Sequence, residues 1–488
     1  MLFSSYEFIF LFLPIVLGIY WLLGKCRHPV FRKCFLIVAS LFFYSWWDLA
    51  YLPLICGSIV FNYLLSRCLQ DRISLLSLKK KTILWVGVAG NIGLLVYYKY
   101  TDFFIFNINW LSGGNVSYWN LILPLAISFF TLQQIAYLVD SYEGIVCERS
   151  LLDYALFVCF FPQLIAGPIV HHGEMMPQFK DSRWVGVNLD NVSRGLFIFS
   201  IGLFKKLVLA DSLAVWVGGG FGGEQALTLI PAWVTSLAFT FQIYFDFSGY
   251  ADMAVGLALF FNIVLPINFN SPYKARGIID YWKRWHMSLT RFITTYIYTA
   301  ILRACVGVTF AKAMAATIIA MLLSGIWHGA GWTFIVWGLL HGIGLVVNHW
   351  SVRNKLKIPL WFAWFVTFNF VNMCNVFFRA ETMNDAFALL RGMVGLNGFE
   401  IPSQLNALIP DLTLLSIGYG DFFTNALFEI KVFGYLLIGF VVCLVFRNSN
   451  QIIKNMRFEV KWVIVNAILF YVAVLNLGRG EIFLYFNF

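Results

Sequence analysis

Residues 324–332 read Ser324-Gly325-Ile326-Trp327-His328-Gly329-Ala330-Gly331-Trp332 and join two long apolar runs, 296–325 and 331–350. Each run is long enough to cross or enter a bilayer core about 30 Å thick. The stretch between them places the imidazole of His328 where the pattern otherwise predicts lipid-soluble helix. Ionisable groups at membrane depth are costly, about 2.5–3.5 kcal/mol for a charged one, so they often mark a pathway or a reacting centre. His328 is therefore a candidate functional residue, although a neutral histidine can also merely bridge helices.

The composition of the whole chain predicts an all-α polytopic membrane protein. Of the 488 residues, 60% are hydrophobic and only 12% are charged, which is far from the composition of a soluble domain. Some of the apolar runs must be re-entrant or broken. The runs long enough to cross or enter a bilayer are 6–24, 33–48, 51–66, 82–100, 119–139, 153–170, 194–217, 230–262, 296–325, 331–350, 358–378, 432–446 and 462–478.

The formal net charge is +10, but the basic residues lie in short segments at helix ends, where the positive-inside rule explains them. The lipid bilayer, and not nucleic acid, is the predicted partner of these charges. Residues 379–431 carry more acids than bases and are predicted to be external; the acids are Glu381, Asp385, Glu400, Asp411, Asp421 and Glu429. The predicted cytoplasmic segments are marked by Lys25, Arg27, Arg32 and Lys33, by Arg67, Arg72, Lys79, Lys80 and Lys81, by Arg353, Lys355 and Lys357, and by Arg447, Lys454, Arg457 and Lys461.

Residues 1–488 are predicted to form one membrane domain with a motif-bearing core at about 120–350. In that core, Ser128, Thr131, Gln133 and Gln134 are predicted to join helices by hydrogen bonds. The segment 160–170 contains Pro162 and Gly167-Pro168, which break helices, so a re-entrant or cavity-lining segment is predicted there.

Two acids and a cationic segment are candidates for substrate contacts. Asp246 and Asp252 are six residues apart, about 600° of helix, so a dyad that shares a proton is not predicted. As isolated acids in an apolar run, they favour a functional or polar-network role. Residues 268–291 are cationic and aromatic, and predict either an interfacial helix or a mouth for a phosphate-bearing substrate. In a regular helix, Trp282 and His286 would share one face.

No metal site is predicted. The nine cysteines are scattered without a C-x-x-C motif, and neither a disulfide framework nor a zinc site is indicated. His171 and His172 are adjacent, and neighbouring side chains on a regular element diverge.

Four ordered motifs resemble those of the membrane-bound O-acyltransferases, in particular the bacterial branch typified by the alginate O-acetyltransferase membrane subunit. They are Phe161-Pro162-Gln163-Leu164-Ile165-Ala166-Gly167-Pro168, Tyr244-Phe245-Asp246-Phe247-Ser248-Gly249-Tyr250, Trp285-His286-Met287-Ser288-Leu289 and Trp327-His328-Gly329-Ala330-Gly331-Trp332. The resemblance implies a ring of tilted transmembrane helices, with broken segments around a central funnel, in the bacterial cytoplasmic (inner) membrane. It implies that His328 and His286 are catalytic. The chain departs from the pattern at His171-His172, where relatives often carry Arg.

The resemblance also implies a reaction. An acetyl group would pass from cytoplasmic acetyl-CoA, a substrate and not a bound cofactor, to an extracytoplasmic acceptor. In the resembling systems the acceptor is often a separate serine-esterase-like (SGNH-hydrolase-like) protein that passes acetyl to a polysaccharide, such as an alginate-like exopolysaccharide or a cell-wall glycan. This chain has no Gly-x-Ser-x-Gly motif for that second step, so a partner is expected.

The chemistry of acyl transfer assigns roles to these residues. A buried neutral imidazole suits a general base, so His328 is the candidate base, while His286 is expected to steady the thioester or to carry a proton. Gly329 and Gly331 would let substrate approach the backbone, and Trp332, one helical turn after His328, would line the tunnel. The further candidate substrate-binding residues are Lys283, Arg284, Trp282, Trp285, Asp246, Asp252 and Trp332.

Two alternatives stay open. Within the same class, the donor would be a carrier-protein thioester and the reaction D-alanyl transfer to teichoic acid. In a different class, a transporter or flippase would relay protons through His328, Asp246 and Asp252.

Overall fold

The computed structural model describes all residues except 25–28, 71–78, 147–149, 181–185, 222–225, 403–417, 421–425, 455–458, 480–482 and 485–488. The predicted topological markers Lys25, Arg27, Arg72, Asp411, Asp421 and Arg457 lie outside the described residues. The described chain is almost entirely helical, as the composition predicted. The two short strands in this part of the chain, β1 (Glu400–Pro402) and β2 (Gly418–Gly420), pair in parallel with Glu400 opposite Gly418.

The helices follow the apolar runs closely. The first ten are α1 (Leu13–Leu23), α2 (Pro29–Ser45), α3 (Leu52–Leu69), α4 (Lys80–Ser112), α5 (Ile127–Tyr142), α6 (Leu151–Cys159), α7 (Phe161–Leu164), α8 (His172–Lys180), α9 (Leu189–Phe204) and α10 (Asp211–Gly220). The others are α11 (Leu229–Phe260), α12 (Ile278–Trp282), α13 (Met287–Phe292), α14 (Thr299–Ala304), α15 (Phe310–His328), α16 (Trp332–Arg353), α17 (Leu360–Arg379), α18 (Met383–Met393), α19 (Ala426–Leu444), α20 (Ser449–Lys454) and α21 (Val460–Val474). Wider π-helical turns occupy Glu7–Phe12, Lys205–Ala210 and Ile293–Tyr298, and 3₁₀ turns occupy Leu49–Tyr51, Pro272–Lys274 and Leu477–Arg479.

Five helices within the described residues are long and apolar enough to cross a membrane. They are Leu49–Leu69, Lys80–Ser112, Phe310–His328, Trp332–Arg353 and Leu360–Arg379. Two of the predicted apolar runs are broken, in line with the expectation that some of them are not continuous helices. The run 119–139 becomes helical only at Ile127, and the run 296–325 is interrupted between α14 and α15, where residues 305–309 are not helical.

The described residues divide into two compact units. The first comprises Met1–Leu203, Tyr250–Asn268 and Arg457–Gly478, and the second Phe204–Gly249, Phe269–Met456 and Arg479–Phe488. The assignment of 1–488 to one membrane domain stays a prediction.

In the first unit, buried amides join α3, α4 and α5. Asn62 and Asn91 exchange hydrogen bonds of 3.2 and 2.6 Å, and Ser58 donates to Gln134 at 3.0 Å. Gln133 donates to Gln163 at 3.1 Å. Because an unsatisfied amide in an apolar interior costs several kcal/mol, about 2–7, these bonds fix which helices pair. The predicted joining role is confirmed for Gln133 and Gln134.

The predicted break at 160–170 is also confirmed. After the single turn α7, residues 165–170 are not helical, and they are buried throughout. The amide of Phe161 donates to the Ser40 hydroxyl at 3.1 Å, and the amide of Gly167 to the carbonyl of Gln163 at 3.1 Å. Non-helical backbone is therefore tolerated here because protein surrounds it.

In the second unit, α15 and α16 form a tight helical hairpin. A methyl group added at Gly338 would lie 2.5 Å from the carbonyl oxygen of Met321, and one at Gly342 would lie 3.1 Å from the Cα of Ile318. Glycine at these positions lets the two backbones touch, which is how small residues bring membrane helices together. This close crossing fixes the end of α15, where His328 lies.

Candidate active site

His328 is the last residue of α15, and an aromatic shell surrounds it. The helix ends because Gly329 is extended, and α16 begins at Trp332. The imidazole is 3% exposed. Its ring centroid lies 4.8 Å from that of Trp327, 5.0 Å from Trp337 and 5.2 Å from Phe378, all in edge-on arrangements. The sequence thus ends α15 with one buried imidazole among aromatic rings, and an imidazole in its neutral form can accept a proton.

One expectation for the surroundings of His328 is wrong, and it concerns Trp332. The space on the Cβ side of Gly329 is filled by the ring of Phe334, which a methyl group there would overlap. That Gly329 and Gly331 let substrate approach the backbone stays a prediction. Trp332 does not follow His328 by one helical turn, because the break at 329–331 separates them. Its side chain is half-exposed, and the rings of Trp327, Trp337 and Phe378 line His328 instead.

His286 is fully buried in the same unit and also lies near Trp327. Its ring centroid lies 6.5 Å from that of Trp327 and 4.7 Å from that of Phe247. The backbone of His286 has φ 42° and ψ 53°, a left-handed conformation immediately before α13. Such a conformation costs a non-glycine residue about 1–3 kcal/mol and clusters at functional sites. The fold therefore brings the two predicted histidines to one tryptophan.

The expectation that Trp282 and His286 share a helical face is wrong. Helix α12 ends at Trp282, and the chain turns through 283–286 before α13 begins. The indole of Trp282 faces His341, whereas His286 faces Phe247. Trp285 stacks on Tyr281 with centroids 5.7 Å apart and packs edge-on against Phe269 at 5.0 Å. The segment 278–292 is accordingly two short helices with a buried aromatic face and not one interfacial helix.

A third buried histidine, His341, was not predicted. It is 1% exposed in the middle of α16. The indole nitrogen of Trp282 donates to its Nδ1 at 3.3 Å, and the Trp337 ring lies 4.8 Å away on the preceding helical turn. Accepting at Nδ1 gives a neutral imidazole its proton on Nε2. A sequence signal for His341 existed. It is an ionisable residue within the apolar run 331–350, and the same property makes His328 a candidate functional residue.

The two predicted cations have different surroundings. Arg284 pairs with Asp280 at 2.8 Å and donates to the carbonyl of Asn270 at 3.3 Å, so it holds its own segment together. Lys283 is exposed and lines a cavity of about 340 Å³. The same cavity is lined by Trp282, Thr290, Thr294, Thr317 and His349. Of the two, Lys283 is the one placed to meet an anionic ligand.

Asp246 belongs to a buried ion-pair network. Lys206 lies 2.8 Å from Asp246 and 2.7 Å from Asp211, and the amide of Leu484 donates to Asp246 at 2.9 Å. Residues 206 and 211 would diverge by about 140° on an α-helix, but the wider turn at Lys205–Ala210 brings them together. The network supports a polar role for Asp246. Asp252, on the same helix, is buried in the first unit.

His171 and His172, in the first unit, do not diverge. Their ring centroids are 4.3 Å apart, and both reach Asp140. The expectation of divergence is wrong because His171 precedes α8 and is not on the regular helix.

The fold and the buried histidines agree with the sequence comparisons. A family model described as the membrane-bound O-acyltransferase family matches residues 145–384, which contain both motif histidines and the cavity that Lys283 lines. The chain belongs to this family. It is an O-acyltransferase and a multi-pass membrane protein.

Particular relatives are similar over much or all of the chain. The chain is 42% identical to the peptidoglycan O-acetyltransferase of Helicobacter pylori, over 100% of this chain and 98% of that protein. It is 36% identical to the probable alginate O-acetylase AlgI of Pseudomonas aeruginosa, over 86% of this chain and 79% of that protein. It is 27% identical to the teichoic acid D-alanyltransferase of Streptococcus thermophilus, over 49% of this chain and 60% of that protein.

Proposed function

We propose that this O-acyltransferase moves an acetyl group from cytoplasmic acetyl-CoA across the bacterial inner membrane to an extracytoplasmic acceptor that serves peptidoglycan O-acetylation. The observation that carries the proposal is the position of His328, a buried imidazole at a helix break, within ring contact of three aromatic side chains. Full-length similarity to a peptidoglycan O-acetyltransferase supports cell-wall glycan over alginate.

His328 acts as the general base in this reaction. The acceptor hydroxyl gives its proton to the imidazole as its oxygen attacks the thioester carbonyl. The carbon–sulfur bond then breaks, and the proton passes to the CoA sulfur, so the products are an O-acetyl ester and free CoA. General-base catalysis of this kind contributes about 10²–10⁴-fold to rate. The aromatic rings about 5 Å from His328 favour a small acyl group.

The donor enters through the cavity that Lys283 lines. His349 lines that cavity one turn before Arg353, at the end of α16 that the positive-inside rule predicts to be cytoplasmic. The ammonium of Lys283 suits a CoA phosphate. A series of ring contacts connects this cavity to His328 through Trp282, His341 and Trp337. His349 and Trp337 are separated by about 18 Å along α16, at about 1.5 Å per residue.

The proposal is tested on the cell wall, where the host supplies the expected acetyl-carrying partner. The chain is deleted in its own organism and restored as wild type or as His328→Ala, and base-released acetate is measured from purified sacculi. Acetate that is lost on deletion and restored by wild type alone is the expected result. Unchanged acetate contradicts the proposal. If deletion changes only the acetylation of soluble exopolysaccharide, or only the D-alanine esters of teichoic acid, that polymer is the acceptor instead.

A further inference from the structure

Asp140, His171 and His172 converge on one point in the first unit. The Nε2 atoms of His171 and His172 lie 2.7 and 3.0 Å from the same oxygen, Oδ2 of Asp140. One ligand atom from each of the three residues lies within 4.8 Å of the others. Three potential metal-ligand atoms therefore come from two segments of chain, the last turn of α5 and the start of α8.

We infer that these three residues form a binding site for a divalent transition metal of the Zn²⁺ class. Two imidazoles and a carboxylate are donors that Zn²⁺ accepts, and three protein ligands leave a fourth position for water. With bonds of about 2.0–2.1 Å, ligand atoms of a tetrahedral zinc site are about 3.3 Å apart. The observed separations of 2.7 and 3.0 Å would therefore widen by about 0.6 and about 0.3 Å on binding.

The neighbours of the cluster suit this use. The side chains of Asp140 and His172 are 4% and 9% exposed, whereas that of His171 is 33% exposed and gives an ion a path from solvent. Tyr137, one turn before Asp140, packs edge-on against the His172 ring with centroids 5.7 Å apart and fixes its orientation. A metal site requires ligand side chains with fixed orientations and a path by which the ion can enter.

Metal binding shifts one ring proton. The amide of Gly173 donates to Nδ1 of His171 at 3.2 Å, so the neutral ring carries its proton on Nε2. Coordination through Nε2 moves that proton to Nδ1 and releases the Gly173 amide. Because Gly173 is exposed at the start of α8, water can accept the hydrogen bond from its amide, at little cost in free energy.

The site ties the end of α5 to the segment that follows the buried break at 165–170. Leu138, two residues before Asp140, packs with Leu69 and Ile83 at the facing ends of α3 and α4. In the sequence, Leu69 and Ile83 lie on either side of Lys79–Lys81, a segment that the charge pattern predicts to be cytoplasmic. The ion would therefore come from the cytoplasm, and its role is to fasten α5 to α8.

The test measures metal binding directly. Protein without a polyhistidine tag is purified, stripped with a chelator and titrated with Zn²⁺ against a chromogenic competitor. We expect one ion per chain in the wild type and an affinity at least about ten-fold lower in His171→Asn and Asp140→Asn. His349→Asn removes a histidine elsewhere and should bind as the wild type does. Co²⁺ in place of Zn²⁺ should give the visible spectrum of a tetrahedral site in the wild type only.

The outcomes separate this inference from the acyl-transfer proposal, because no donor or acceptor is present in the titration. Elution in size-exclusion chromatography shows that each variant is folded; His171, at the edge of the cluster, is the substitution least able to disturb the interior. A wild type that binds no Zn²⁺, or that binds it no more tightly than His171→Asn, overturns the inference. A Zn²⁺-dependent rise in the thermal unfolding midpoint, lost in His171→Asn, is the second expected result.

Discussion

Replacing Gly338 by alanine should force α15 and α16 apart. The added methyl group would lie 2.5 Å from the carbonyl oxygen of Met321, whereas ordinary contacts of this kind begin at 3.4 Å. The two backbones must therefore separate by about 0.9 Å, because neither side of the contact is a flexible side chain. Overpacking of this size lowers the free energy of unfolding by about 1–3 kcal/mol.

The same displacement should reduce activity. Trp337 precedes Gly338 and packs on His328 across the hairpin, with ring centroids 5.0 Å apart. Moving α16 relative to α15 therefore moves a wall of the His328 site by most of an ångström. A misplacement of about 1 Å costs an enzyme about 10²-fold in rate. We expect Gly338→Ala to lower CoA release from acetyl-CoA by about that factor.

Two further glycines provide the comparison. At Gly342 the methyl group would lie 3.1 Å from the Cα of Ile318, so Gly342→Ala should have a smaller effect. At Gly434 in α19 nothing lies within 4 Å, and alanine there should leave activity unchanged while favouring the helix by up to about 1 kcal/mol. The assays are the thermal unfolding midpoint at a fixed heating rate and CoA release. If Gly338→Ala matches Gly434→Ala in both, the close crossing of α15 and α16 is not what positions His328.

Two other substitutions test the buried network and the donor cavity. Lys206→Met leaves two buried carboxylates without their cation and should lower the free energy of unfolding by about 3–5 kcal/mol; Lys461→Met, at an exposed pair with Glu459, should change it by at most about 1 kcal/mol. Equal thermal midpoints for the two variants would contradict the structural role of the network. Lys283→Ala should raise the KM for acetyl-CoA about ten-fold with little change in kcat, since it removes one charged contact made equally in the ground and transition states. Lys355→Ala, an exposed cation outside the cavity, should leave KM unchanged, and a similar KM for both variants would remove Lys283 from the donor site.

The sequence predicted the helices well because burial in lipid demands long apolar runs. The run 230–262 becomes α11 at Leu229–Phe260, and 358–378 becomes α17 at Leu360–Arg379. The break at 160–170 was also predictable, since Pro162 and Gly167-Pro168 disrupt helical hydrogen bonding wherever they occur. Helix length and helix breaks are local properties of the chain, so the sequence pattern predicts them well.

The site was predictable only in part. The motifs mark His328 and His286, whose catalytic roles stay predictions, and the surroundings of each depend on where the helix stops. His286 takes a left-handed conformation that no spacing rule gives, and it separates Trp282 from the face on which regular periodicity puts it. His341 was not predicted because it lies outside the motifs, and its contact with Trp282 joins residues far apart in the sequence.

The polar clusters show the same limit. Lys206 meets Asp211 only because a π-helical turn changes the angle between them. Asp140 meets His171 and His172 because the chain returns after the buried break, a contact between residues more than thirty positions apart. Both clusters depend on irregular backbone or on contacts between distant residues. The local sequence pattern predicts neither of these.

The central claim, that His328 is the base for acyl transfer from acetyl-CoA, is tested most directly by the rate of CoA release. Purified protein in nanodiscs is given acetyl-CoA with its co-purified extracytoplasmic partner, and wild type, His328→Ala and Gly434→Ala are compared. Wild type and Gly434→Ala should release CoA at equal rates, with His328→Ala slower by about 10²–10⁴-fold. A folded His328→Ala that releases CoA at the wild-type rate would contradict the account, and a wild type that consumes only a carrier-protein thioester would identify a different donor.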